Sequence, residues 1–135
     1  MSATASARPR LLIVDDDPLI CQSYDEILRA NGYDVAVAGS RRDALQEIER
    51  LGGGIDVLVL DIALPDADGA DLAHEISDNI GTRPTLYVSG WTDEFWNLST
   101  APGRWLVMQK PIPVPRLLAA VDYLAGRRTT GPDLD

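Results

Sequence analysis

Five short apolar runs punctuate this chain, at residues 11–14, 33–38, 55–60, 85–88 and 105–109, and helical stripes fill the gaps between them. Run 55–60 is apolar almost throughout, as a strand covered on both faces should be. Run 33–38 alternates and carries Asp34, which marks an edge strand. After the first run, Asp17-Pro18 supplies an N-cap with proline at the first helical position. Ile20, Tyr24, Ile27 and Leu28 then recur at helical spacing until Asn31-Gly32 ends them. Ser40 opens a second stripe of Ala44, Leu45, Ile48 and Leu51, stopped by three glycines at 52–54. Asp68-Gly69 opens a third, with Leu72, Ala73, Ile76 and Ile80. A shorter stripe of Trp91, Phe95 and Leu98 is cut by Pro102-Gly103, and Val114, Leu117, Leu118, Val121 and Leu124 make the last. Five strands alternating with five helices, joined by right-handed crossovers, require a parallel sheet with helices on both faces. The expected fold is a doubly wound α/β domain.

Composition sets the outer bounds. At 135 residues and 45% hydrophobic content, the chain suits one globular domain with a proper core. Residues 10–126 are expected to form it, between a disordered arm at 1–9 and a disordered tail at 127–135. The first ten residues lack the apolar segment of a secretory signal, and no apolar stretch reaches the length of a membrane span. Cys21 is the only cysteine, so no internal disulfide can form, and a reducing cytoplasm is the expected location. A net charge of −9 repels polyphosphate, so nucleic acid is not expected as a partner, and without a spanning stretch neither is a membrane.

The chemistry gathers where the runs end. Asp15 and Asp16 follow the first run, Asp61 the third and Ser89 the fourth. Lys110, the only lysine, ends the fifth and precedes Pro111. In an open parallel sheet these ends share one edge, where α/β folds place their ligand sites. Three carboxylates crowded together repel each other and are pushed towards protonation. A hard divalent cation such as Mg²⁺ relieves that, since it takes carboxylate oxygens, keeps several waters and completes its shell with phosphate. Asp61, alone at its strand end, is placed as a carboxylate nucleophile towards a phosphoryl donor. The metal, Lys110 and the Ser89 hydroxyl would each take a phosphoryl oxygen.

The residues Val14-Asp15-Asp16-Asp17, the segment from Asp61 to Gly69, Ser89-Gly90 and Lys110-Pro111 occur in the order of a known pattern. The chain resembles the receiver domain of two-component response regulators from about Arg10 to Leu124. The resemblance implies a flavodoxin-like sheet in the order 2-1-3-4-5, of which receivers are themselves a standard instance. It implies that Asp61 accepts a phosphoryl group from the phosphohistidine of a histidine kinase or phosphotransfer protein. It implies Mg²⁺ held by Asp16 and Asp61, by the Ala63 backbone carbonyl, and by Asp15 through water. Ser89 and Lys110 would hold phosphoryl oxygens, and the Lys110-Pro111 peptide is expected to be cis. The module is expected to be a stand-alone switch or relay rather than an enzyme, with a downstream target that the sequence does not name. A docking kinase is expected to cover Pro18 and Leu19 beside the site.

One departure bears on readout. Three residues before the lysine, where the family usually carries a mobile aromatic ring, stands Val107. Trp105, on the same strand face, is the candidate substitute, unless it only packs beneath the following helix. Trp91 is expected to shield the acyl phosphate from water. A pure interaction module therefore stays open as an alternative. A hydrolase of the haloacid dehalogenase type wants a second aspartate where Ala63 stands, and a flavodoxin-type carrier wants hydroxyls where Asp15, Asp16 and Asp17 would repel a flavin phosphate. His74 and Cys21 read as structural residues, and Asp66 and Asp68 as loop and cap residues.

Overall fold

A computed structural model describes residues 8–90 and 98–132. The strands are β1 (Arg10–Val14), β2 (Asp34–Ala38), β3 (Val57–Asp61), β4 (Thr85–Ser89) and β5 (Trp105–Gln109). They form one all-parallel sheet in the order β2-β1-β3-β4-β5, with β2 at an edge. Four helices lie among the described residues: α1 (Pro18–Ala30), α2 (Arg41–Arg50), α3 (Gly69–Ile80) and α4 (Val114–Leu124). The stripe expected at Trp91 and Phe95 falls outside them, while its last member, Leu98, is buried. The run expected to start at Ile55 pairs only from Val57, and the third and fourth strands take in Asp61 and Ser89 as their last residues.

Alternation along the strands splits the core into two layers. Leu11, Ile13, Val57, Val59, Leu86 and Val88 face α1 and α4. Leu12, Val14, Leu58, Leu60 and Tyr87 face α2 and α3. Because helices cover both faces, every residue of β3 is buried, and each such large aliphatic side chain contributes about 1.5–3 kcal/mol of burial free energy.

Local chemistry starts each helix where the sequence indicates. The Asp17 carboxylate accepts from Leu19 N at 2.9 Å, Ser40 Oγ from Asp43 N at 3.1 Å, and Asp68 from Ala70 N at 2.7 Å. Gly69 is required by close approach: a Cβ there would stand 2.4 Å from the Asp61 carbonyl oxygen. Contacts run past both expected domain edges. Arg8 donates to the carbonyl of Arg29 at 2.9 Å, and Arg127 donates to those of Asn31 and Gly32 at 2.8 and 2.7 Å. The Arg127 guanidinium also lies over the Tyr33 ring, 4.0 Å from its centroid, so the expected tail begins with an anchored residue. Among the described residues, no helix is long and apolar enough to cross a membrane.

Candidate functional site

Because all five strands are parallel, β1, β3, β4 and β5 deliver their last side chains to one edge. Asp15 follows β1 and Asp61 ends β3, and both are buried, at 3% and 5% exposure. Lys110, just past β5, reaches between them: its Nζ lies 2.9 Å from Asp15 Oδ2 and 3.1 Å from Asp61 Oδ2. Asp16 stays exposed, yet it offers a carboxylate oxygen in a group with Asp15 and Asp61 whose donor atoms all lie within 4.8 Å of one another. Sequence spacing brings these four residues to one place, and the structure puts Lys110 in contact with Asp15 and Asp61 and sets Asp16 beside them.

Backbone donors fix the carboxylates. Asp15 Oδ1 accepts from Asp17 N at 2.9 Å, and Asp61 Oδ1 accepts from Ala63 N at 3.0 Å. Burial pushes the Asp61 carboxyl above the usual range, and the nearby Asp15 charge adds to the rise. The Ala63 N–H and Lys110 oppose it by favouring the ionised form. For Lys110, burial acts to lower the ammonium's pKa, but hydrogen bonds to Asp15 and Asp61 outweigh it and hold the group charged well above its usual range. The result is a compact, all-oxygen acidic group with one cation already threaded into it. Three carboxylates against one ammonium leave net negative charge, which suits a hard divalent ion such as Mg²⁺.

Ser89 ends β4 half-buried, and its carbonyl accepts from Lys110 N at 2.7 Å, so the two expected phosphoryl contacts sit on adjoining strand ends. The Lys110-Pro111 peptide is cis. Pro18 and Leu19 open α1 on the rim, and Leu19 is 72% exposed, which rules out a part in helix packing. Beside them, an open groove of ≈ 660 Å³ runs between α1 and α2 with Asp15 and Asp16 at one end.

The readout candidates divide. Trp91 lies outside the described residues. Val107 pairs with Tyr87 across the β4–β5 register and packs against the α2–α3 layer. Trp105 meets Tyr87 edge to face, with ring centroids 6.1 Å apart. It does not pack beneath α4, the next described helix, because that helix covers the opposite face of the sheet. In the sequence Tyr87 reads as an ordinary strand residue. Its hydroxyl is buried and has no hydrogen-bond partner among the described residues. Cys21 is buried, its thiol donates to the Asp15 carbonyl at 3.3 Å, and burial pushes its pKa up to about 11. His74 is exposed on α3.

Comparison with known proteins agrees with this geometry. The model of the response regulator receiver domain matches residues 11–122. The transcriptional regulatory protein TrcR of Mycobacterium tuberculosis is 31% identical over 121 residues, covering 87% of this chain and 46% of TrcR, so the chain spans less than half the length of that relative. A CheY-like response regulator receiver domain protein from Methanospirillum hungatei superposes with a TM-score of 0.77 at 26% identity, over 90% of this chain and 96% of the other. The signal receiver domain of a Luxo repressor protein from Vibrio parahaemolyticus gives 0.76 at 28% identity, over 90% and 92%. With the acidic cluster, the parallel sheet and the family match in agreement, this chain belongs to the response regulator receiver domains of two-component signalling.

Proposed function

We propose that Asp61 is the phosphoacceptor of this receiver, taking a phosphoryl group from a phosphohistidine on a histidine kinase or phosphotransfer protein. The observation that carries the reading is Lys110 Nζ bridging the buried Asp15 and Asp61 carboxylates at 2.9 and 3.1 Å, with Asp16 beside them. In the transfer, an Asp61 carboxylate oxygen attacks phosphorus. The P–N bond breaks, its electron pair stays on the imidazole, which takes up a proton, and an acyl phosphate forms. Asp16, Asp61 and the Ala63 carbonyl would hold Mg²⁺, with Asp15 through water. The ion supplies neutralisation of the phosphoryl oxygens. Lys110 would pair with one phosphoryl oxygen, and the Ser89 hydroxyl would donate to another. The exposed Leu19 with Pro18 would contact the phosphodonor protein, since a phosphohistidine must pass the α1 rim to reach Asp61.

Incubation with acetyl phosphate and Mg²⁺ should label the protein on Asp61 alone. Asp61→Asn should reduce uptake to background, and so should chelation of the metal. Uptake by Asp61→Asn at the wild-type level would sink the reading.

A further inference from the structure

Asp66 lies in the loop between Asp61 and α3, exposed and five residues past the acceptor, and reads in sequence as ordinary loop chemistry. In the fold its carboxylate is engaged with a different helix. It accepts from Arg41 N at 2.8 Å and from Arg42 N at 3.1 Å, the first two amides of α2. Ser40 already caps the third, from Asp43. The first-turn donors of α2 are thus shared between its own cap and a carboxylate brought from another loop, where the helix dipole also favours an anion. Those two backbone amides hold the Asp66 carboxyl below the usual range, the Arg41 amide most.

A second tie runs parallel to the first. Arg41 grips Glu75 on α3 in a fork, Nε to Oε1 at 2.7 Å and Nη2 to Oε2 at 2.5 Å. The loop from Asp61 to α3 is therefore held to α2 at its middle by Asp66, and α3 is held to α2 by Arg41–Glu75. Within the loop, Leu64 N bonds to Ala67 O at 3.1 Å, Gly69 N to Ile62 O at 2.8 Å, and Ala63 bridges Asp68. These bonds close the segment on either side of Asp66 and join it to Ala63, so a tether at Asp66 constrains the Ala63 backbone. Ala63 in turn donates to Asp61 Oδ1 at 3.0 Å and sets the orientation of that carboxylate.

We infer that Asp66 is a positioning residue for the metal and acceptor site: by docking the loop on the amino end of α2, it places the Ala63 backbone and the Asp61 carboxylate for Mg²⁺. The inference rests on the proposed Mg²⁺ reading of that site. Mg²⁺ demands near-ideal octahedral geometry, so a loop displaced by a few tenths of an ångström should weaken it. Partners that orient metal ligands typically carry about 10- to 100-fold in affinity, and an exposed, indirect tether belongs at the low end of that range.

The test is a titration of the metal-free chain with Mg²⁺ by calorimetry, paired with acetyl phosphate labelling across Mg²⁺ concentrations. Asp66→Ala should raise the Mg²⁺ dissociation constant about 10-fold, with the labelling rate at saturating Mg²⁺ within about twofold of wild type. Asp66→Asn, which keeps one accepting oxygen, should fall between the two. Ser40→Ala is the control, because it weakens the same helix start without touching the loop, and its Mg²⁺ affinity should stay near wild type. If Ser40→Ala loses as much affinity as Asp66→Ala, the effect is helix stability and the positioning role is wrong. Unchanged affinity in Asp66→Ala, with wild type binding normally, would overturn this inference alone. A wild type that binds no Mg²⁺ would overturn the metal reading and this inference together.

Discussion

At the acidic group of the site, Lys110 from the end of β5 bridges Asp15, which follows β1, and Asp61, which ends β3. On the β4–β5 side, Val107 and Trp105 surround Tyr87, whose buried hydroxyl has no partner among the described residues. The flanking strands differ in the same sense. All five residues of β3 are buried, whereas Met108 is the only residue of β5 that is. Paired buried charges resist displacement, since moving one strands the other in a poor dielectric. The Tyr87–Trp105 pair is held by ring packing instead, with Tyr87 fully buried and Trp105 half-buried. The difference teaches that the acidic group is fixed by paired charges, whereas the Tyr87–Trp105 edge rests on packing around a buried hydroxyl with no partner among the described residues.

Lys110→Ala should break that comparison most strongly. Removing the ammonium leaves two buried carboxylates facing each other, which should cost about 3 kcal/mol in urea unfolding of the metal-free protein. Millimolar Mg²⁺ should recover part of the loss by taking over the neutralisation. If the variant without metal is as stable as wild type, the acidic side is not held by its cation and the contrast collapses.

Tyr87→Phe acts on the other side and with the opposite sign. Deleting a buried hydroxyl that has no partner among the described residues, while keeping the ring, should stabilise the protein by about 1 kcal/mol. Burial also pushes the Tyr87 phenol up to about 12. A raised folded-state value contributes stability that is complete below pH 10 and is lost as pH climbs towards 12, so the phenylalanine variant should lack that alkaline loss. A destabilised Tyr87→Phe would mean the hydroxyl is satisfied after all and that this side is as fixed as the other.

Leu19→Arg sharpens the comparison with the smallest effect on stability. At 72% exposure the side chain supports no core, so unfolding free energy should change by less than about 0.5 kcal/mol. Phosphoryl transfer from a cognate histidine kinase should nevertheless slow several-fold, while labelling by acetyl phosphate stays unchanged. If the two donors respond alike, Leu19 acts on the site rather than on a partner.

Much of this was legible in the residues, for identifiable reasons. Run 55–60 could be read as a covered strand because burial on both faces leaves no alternation. Asp17, Ser40 and Asp68 could be read as caps because a cap bonds within three residues of itself. Asp15, Asp61 and Lys110 could be placed together because a parallel sheet sends every strand end to one edge. Asp66 shows where such reading stops. It was recognisable as a capping type, but the helix it caps begins 25 residues earlier in the chain. The Arg41–Glu75 fork, spanning 34 residues, left no local signal either. Trp105 could be put on the Val107 face from strand alternation, yet its partner Tyr87 is chosen by the β4–β5 register.

The sequence by itself determined the strand–helix alternation, the helix starts and the residue types gathered at the carboxyl edge, since each depends on neighbours within a few positions. Only the tertiary structure decided which charges touch, which loop rests on which helix and which buried hydroxyl lacks a partner among the described residues. Those outcomes follow from sheet register and side-chain packing, where residues far apart in the chain compete for the same few ångströms of space.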